Sequence, residues 1–302
     1  MLGILGPTAV GKSAIAHEVA RALGGEIIVA DPFQRYRGLE VAADSPGPGE
    51  FNEVPYHFVG DLDLSEGSTA GEFGARAHGV IDDVIARGRT PIVTGGTGLY
   101  VRAAVAELGF PAAVDAAKRA EAEQMVTMDL EGAVERLREL DPRAADRIDA
   151  RNPRRVARAL ELALGGVTDR PLDRLWDGST RRPTRLYALA RSTATLDERI
   201  EVRVEREIHD GLVAELRAVL ARPDRHRAVD QIIGIREVIA LDAGDLAPDD
   251  LGPALAARTR KLARRQRTWL RRQPGLRLID LEGCHSDEAV DQITSQWGDH
   301  PL

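Results

Sequence analysis

The stretch Gly6-Pro7-Thr8-Ala9-Val10-Gly11-Lys12-Ser13 fits the pattern G-x-x-x-x-G-K-[ST], and it constrains the chain more than any other. Glycines let backbone N–H groups close around phosphate oxygens, and a helix leaving the loop points its positive dipole end at the same charge. Lys12 supplies a mobile cation, and the Ser13 hydroxyl can hold Mg²⁺. The context suits such a loop. The apolar run Leu2 to Leu5 enters it as a strand would, and Ile15, Ala16, Val19, Ala22 and Leu23 recur after it at helical spacing until Gly24-Gly25.

Further strands follow the same logic. Glu26 to Ala30 is a continuous apolar run of the kind a strand buried on both faces requires, and it delivers Asp31-Pro32-Phe33-Gln34. Ligands in open α/β sheets collect at the carboxyl ends of strands, which sets Asp31 beside the phosphate loop. Residues 44 to 55 read as a Pro- and Gly-rich loop, Tyr56 to Val59 as a short strand with His57 structural, and Thr69-Ala70-Gly71-Glu72 as a capping box opening a helix that Gly88 ends. Pro91 to Thr94 is the next buried strand. The glycines after it, Gly95-Gly96-Thr97-Gly98, allow close backbone approach and turn the Thr97 hydroxyl towards the Asp31 crevice.

From residue 112 to 180 the pattern becomes helical and mixed in charge, with segments Glu121 to Met125, Leu130 to Leu140 and Pro153 to Leu164, before a strand-like run resumes at Leu186 to Ala190. The expectation is a P-loop NTPase-like α/β core, a parallel sheet flanked by helices, formed by residues 1–111 and 181–302 and carrying an all-helical insertion domain at 112–180. Arg151, Arg154, Arg155 and Arg158 cluster within that insertion. A capping-box spacing at Thr195 opens a long amphipathic helix through Leu216.

Charge is unevenly spread. The net charge of −7 argues against a polyanionic partner, yet the helical stretch between Ala254 and Pro274 carries Arg258, Arg260, Lys261, Arg264, Arg265, Arg267, Arg271 and Arg272 with no acid. Leu255, Leu262 and Trp269 can bury one stripe and leave the arginines for a phosphate backbone. The single Cys284 permits no internal disulfide, and no apolar run reaches membrane-spanning length, so a cytoplasmic protein without membrane contact is expected.

Together the motifs resemble the bacterial tRNA dimethylallyltransferases, also called tRNA isopentenyltransferases, along nearly the whole chain. The pieces are the phosphate loop, Asp31-x-x-Gln34-x-Tyr36-Arg37-Gly38, Gly95 to Tyr100, Arg155-x-x-Arg158-Ala159-Leu160-Glu161, Ile233-Gly234, and Thr259-Arg260 running to Arg265-Gln266-Arg267-Thr268-Trp269. The resemblance implies transfer of a dimethylallyl group from dimethylallyl diphosphate to the exocyclic amine of the adenine 3′ to the anticodon. It implies Asp31 as the base, and Thr97 and Arg119 near the reacting centre. Gly6 to Ser13 would hold the diphosphate, with Mg²⁺ on Ser13. A flipped adenine would meet Asp31, Pro32, Phe33 and Gln34. Arg154, Arg155, Arg158, Arg260, Arg264, Arg265 and Arg267 would hold the anticodon stem-loop, the enzyme acting as a monomer. This sequence departs from the family's pattern at Pro32, where Ser is common, at Arg35, usually aliphatic, at Ile235, usually Tyr, and at Leu262 and Leu270, often aromatic.

Three other readings compete: prenylation of free adenine nucleotides, for which a long arginine-rich helix is superfluous; a small-molecule kinase, which the loop alone would favour; and an inactive RNA-binding relative.

Overall fold

The computed structural model describes residues 1–111, 114–167 and 174–298. Six strands form one sheet: β1 (Leu2–Leu5), β2 (Glu26–Val29), β3 (Tyr56–His57), β4 (Pro91–Gly95), β5 (Arg185–Ala190) and β6 (Leu276–Asp280), in the order β3-β2-β4-β1-β5-β6. Every pairing is parallel. β1 is central, which its burial on both faces requires, and its end Leu5 lies opposite Gly95 of β4 and Ala188 of β5. Val29 of β2 lies opposite Thr94. That register brings the segments after β1, β2 and β4 out along one edge of the sheet.

The helix Lys12–Leu23 packs Ile15, Ala16 and Val19 against Leu2, Ile4, Ile27, Val29 and Ile92. Each of the Ile, Leu and Val side chains contributes about 1.5–3 kcal/mol on burial. The helix stops at Gly24, whose φ of +58° is left-handed and cheap only for glycine. A second cluster lies beneath residues 36–64. There Tyr36, Leu39, Leu62 and Leu64 meet Ile200, Val204, Leu216, Leu255 and Ala263 from the helices Thr193–His209, Leu212–Leu220 and Leu251–Leu270.

The chain packs as two compact units, 1–107 with 174–302, and 108–173. The insertion boundary expected at 112 falls on a residue outside the described ones. Residues 174–180, expected with the insertion, instead pack in the first unit, where the buried Arg102 guanidinium donates to the carbonyls of Arg174 (2.8 Å) and Ser179 (2.9 Å). Among the described residues the second unit is all helical: Ala116–Met128, Leu130–Leu140, Pro142–Arg147 and Pro153–Leu164. Asp129, Asp141 and Asn152 cap the last three through Gly132 N (3.0 Å), Ala144 N (2.9 Å) and Arg155 N (3.3 Å). Ala133, Leu137, Ala144, Val156 and Leu160 form its core.

Several local expectations change. The loop at 44–55 contains a short helix, Pro48–Glu53, started by Glu50 accepting from Gly47 N at 2.8 Å. The strand at Tyr56 stops after His57, because Phe58 takes a φ of +65°. Thr69 and Glu72 do form the reciprocal cap, at 3.2 and 2.9 Å, on the helix Ala70–Ala86. Ser192, rather than Thr195, caps the next long helix, accepting from Thr195 N at 3.1 Å. That helix breaks at Gly211, with φ +100°, so Leu212 and Leu216 belong to a separate helix. In Leu251–Leu270 the buried stripe is Leu255, Ala256, Thr259, Ala263 and Gln266, while Leu262 and Trp269 flank it; a spacing of seven drifts off a 3.6-residue face. β6 and the helix Ser286–Gly298 had no expectation.

Arg35, unusual in sequence, is fully buried and makes a two-point ion pair with Asp61 (Nε–Oδ1 3.0 Å, Nη2–Oδ2 2.7 Å) between the rings of Phe58 and Phe73. Removing one partner of such a pair leaves a buried charge uncompensated. Asp61→Ala is therefore expected to lower unfolding free energy by about 3 kcal/mol, read from urea denaturation midpoints. An unchanged midpoint would show that Arg35 finds other partners.

Candidate active site

The loop Gly6–Ser13 leaves β1 at the sheet edge just described. Ala9 has φ +63° and Gly11 φ +104°, so the chain curls through left-handed conformations before the helix begins at Lys12. Gly6 cannot carry a Cβ, which would come within 2.6 Å of Val10 Cγ1 and 3.3 Å of the Leu189 carbonyl. Three arginines after β5 grip the loop. Arg199 donates to Ala9 O (2.7 Å), Arg191 to Val10 O (3.1 Å), and Arg203 to Thr8 Oγ1 (2.8 Å). In a trans peptide the N–H points opposite the C=O, so binding the Val10 carbonyl turns the Gly11 N–H to the other side of the loop.

The buried Gln266, from the arginine-rich helix, accepts from Thr8 N at 2.8 Å. Gly95 and Gly96 make room for neighbours as expected: a Cβ on Gly95 would meet the Ala30 carbonyl at 2.5 Å, and one on Gly96 the Gln266 amide at 2.4 Å. Gly98 lies against Trp269, where a Cβ would overlap the indole at 1.9 Å. Thr97 stands at the start of the helix Gly98–Val105, yet its hydroxyl makes no capping bond. It remains available to a ligand.

Asp31 follows β2, half-buried, and its Oδ1 accepts from Phe33 N at 2.9 Å. Pro32 sits between them, where its missing N–H costs nothing because the turn is closed by Phe33. Gln34 is turned away from the free reading role expected of it, since its amide donates to the carbonyls of Ala43 and Asp44, each at 3.2 Å. Its oxygen is left to face a ligand.

Lys12 is half-buried, and among the described residues no hydrogen bond reaches its ammonium. Burial pushes its pKa below the usual lysine range, the Arg203 charge pushes the same way, and Asp31 and Asp44 oppose both. Arg203 is held protonated against its burial by Asp44 (3.2 Å) and Glu207 (2.6 Å). Lys12 and Arg203 thus share the loop with the carboxylates of Asp31, Asp44 and Glu207. Ser13 is exposed, the second residue of its helix. Among the described residues no three His, Cys, Asp or Glu gather as a cation cage. A Mg²⁺ held by one hydroxyl, water and substrate phosphate oxygens fits this donor set, because Mg²⁺ seldom uses an all-protein cage.

The remaining expected residues divide. Arg264 and Arg265 project into solvent without an ion pair among the described residues, whereas Arg260 pairs with Glu201 (2.9 Å) and Arg267 donates to Thr193 Oγ1 (2.6 Å). Arg119 lies in the second unit, exposed and paired with Glu123 at 3.4 Å. In that unit Arg154, Arg155 and Arg158 line a shallow depression with Ile148, Ala159 and Leu162, and Arg158 is anchored to Glu161 at 2.6 Å. Sequence reasoning missed Arg191, Arg199 and Arg203, and it quoted Gln266 without a role. Among the described residues no helix is long and apolar enough to cross a membrane.

A family model described as IPP transferase matches residues 34–273. Curated relatives match over a larger share of the chain. A tRNA dimethylallyltransferase from Anaeromyxobacter sp. is 41% identical over 281 residues, covering 92% of this chain and 94% of its own. One from Salinispora arenicola is 38% identical, covering 94% and 83%. The solved tRNA isopentenylpyrophosphate transferase from Bacillus halodurans superposes with a TM-score of 0.72 at 29% identity, covering 99% of this chain and 95% of that one. A eukaryotic dimethylallyltransferase acting on tRNA, 22% identical, shares the fold with a TM-score of 0.81, covering 100% and 80%.

Because Lys12 titrates below the usual lysine range, inorganic pyrophosphate is expected to lose affinity as pH rises towards that range from below, when the ammonium gives up its proton. Lys12→Arg, which stays charged, is expected to flatten this limb in calorimetric titrations. A limb of the same steepness in the arginine variant would assign it to another group.

Proposed function

We infer the reaction from one premise: the chain belongs to the IPP transferase family. It is a prenyltransferase that moves a dimethylallyl group from dimethylallyl diphosphate to the N6 amine of the adenine 3′ to the anticodon of a tRNA. The observation that carries this reading is the meeting of a phosphate loop, an aspartate and a free threonine hydroxyl at adjacent strand ends, tied through Gln266 to a helix of one-signed charge. A free nucleotide would need no such helix.

The chemistry follows from the groups present. The adenine amine is a weak nucleophile, since its lone pair is delocalised into the ring. Asp31 accepts the amine proton as the new C–N bond forms and the C–O bond to the diphosphate breaks. The leaving diphosphate takes the electron pair of that bond. Its growing charge is met by loop N–H groups and the Lys12 ammonium, which are in place beforehand and need no reorganisation. Ser13 would hold Mg²⁺, which supplies further charge neutralisation at the diphosphate. Thr97 orients substrate from the neighbouring strand end. The adenine must leave its stack to reach this crevice, and the Gln34 oxygen is placed to read it. Exposed Arg264 and Arg265, with Arg154 and Arg155 on the insertion, serve the phosphate backbone of the anticodon stem-loop.

Incubation with dimethylallyl diphosphate, Mg²⁺ and unmodified tRNA, followed by nucleoside mass spectrometry, is expected to reveal a prenyl increment on adenosine. An increment on free adenosine monophosphate alone would overturn the assignment of tRNA. Asp31→Asn is expected to cut turnover by about 10² to 10⁴-fold while tRNA binding persists; undiminished turnover would remove Asp31 from the mechanism. Arg264→Ala with Arg265→Ala is expected to reduce the slope of log affinity against log salt by about 1–2, measured by tRNA titration at several ionic strengths.

A further inference from the structure

Gln266 is 7% exposed, and only one side of its carboxamide is satisfied. Thr8 N is a donor, so the oxygen must face it, and the –NH₂ group points the other way. That nitrogen makes no hydrogen bond among the described residues. Its place is fixed by the glycine beside it. A Cβ on Gly96 would come within 2.4 Å of Gln266 Nε2 and within 3.1 Å of the Gly6 carbonyl, so the –NH₂ lies against the Gly95-Gly96 turn, near the start of the phosphate loop. Both segments leave adjacent strands, β1 and β4, at the same sheet edge. Among the described residues this nitrogen is not one of the buried side-chain atoms left without a partner, so it is open to solvent at the site and can donate to the acceptor of a ligand.

We propose that Gln266 is a ligand-binding residue of the phosphate site: its oxygen holds the Thr8 N–H, and its nitrogen donates to an oxygen of the bound diphosphate. The inference deepens the reading of Gly6–Ser13 as a diphosphate loop and rests on it. The acceptor has to be an anion's oxygen or another strong acceptor, because the neighbouring loop groups and Lys12 favour negative charge there. Lys12 neutralises the diphosphate from the loop side, while Gln266 reaches it from the helix side with a neutral donor. One side chain therefore sets the loop's shape and reads its occupant. It also seats the helix that exposes Arg264 and Arg265, the immediately preceding residues.

The direct test uses the unaltered chain, labelled with ¹⁵N, and inorganic pyrophosphate with Mg²⁺ as the probe. The Gln266 side-chain –NH₂ pair, identified by its absence in Gln266→Met, is expected to shift on titration and to exchange its protons with water more slowly when saturated. A pair that stays in place while backbone amides of residues 8–13 shift would overturn the proposal. Calorimetry gives the second reading. Gln266→Glu keeps an acceptor for Thr8 N–H but replaces the –NH₂, and pyrophosphate affinity is expected to fall by about 10-fold or more, the scale of a hydrogen bond to a charged group. Gln266→Met removes the donor without adding charge and is expected to weaken binding as well. Anticodon stem-loop affinity is expected to stay within about two-fold of the unaltered chain in the glutamate variant, since no RNA-facing charge is touched. Pyrophosphate binding at full strength in both variants contradicts the assignment. Prenyl transfer by the unaltered chain is scored separately: a shifted –NH₂ pair without transfer to tRNA would leave Gln266 in place and remove the tRNA reaction. Transfer with an unmoved pair would do the reverse.

Discussion

A diphosphate can be held away from bulk water only by donors and cations assembled before it arrives, and such a cluster repels itself until it is filled. Gly6–Ser13, proposed to hold the diphosphate, carries such a cluster. Arg191, Arg199 and Arg203 bind the outward carbonyls and the Thr8 hydroxyl, so their charges are spent on shaping the loop. Asp44 and Glu207 hold Arg203 in its ionised form, and Asp31 and Asp44 oppose the lowering of the Lys12 pKa that burial and Arg203 cause. Everything else in the first unit serves to bring these groups to one edge. A central β1 between β4 and β5 is the element that does so.

The arginine-rich helix has two jobs on two faces. Its buried stripe is mostly small, with Ala256, Thr259 and Ala263, so it can lie close to its neighbours, and Gln266 extends that face to the loop. The opposite face keeps Arg264 and Arg265 in solvent. Trp269 sits between the faces, against Gly98 and 5.6 Å from Trp176, with the Arg272 guanidinium 4.3 Å from the Trp176 ring. A surface of one-signed charge and the side chain proposed to meet the diphosphate therefore share one helix, so the net charge of −7 does not exclude a polyanionic substrate.

What the sequence made legible was local. The loop, the buried strands and the Thr69 cap each declare themselves within a few residues, and the family resemblance rests on such pieces. The missed features are contacts between distant segments. Gln266 meets Thr8 across 258 positions and Arg203 meets it across 195, and no periodicity encodes either. The apolar periodicity runs unbroken across Gly211, and only its φ of +100° shows that the helix ends there. β6 escaped because it alternates poorly: Leu278 faces solvent at 69% exposure and only Ile279 is buried. The departures at Pro32 and Arg35 turn out to be accommodated, one by a turn that needs no N–H there, the other by Asp61.

The central claim is that the phosphate loop serves group transfer to RNA and not RNA binding itself. It is tested most directly by single-turnover prenyl transfer in Lys12→Ala, run beside anticodon stem-loop binding under the same conditions. The account predicts loss of transfer by about 10²-fold or more, the scale of removing a preorganised charge from a transition state, with stem-loop affinity retained. Transfer at the rate of the unaltered chain would contradict it, and so would a loss of stem-loop affinity large enough to explain the lost transfer.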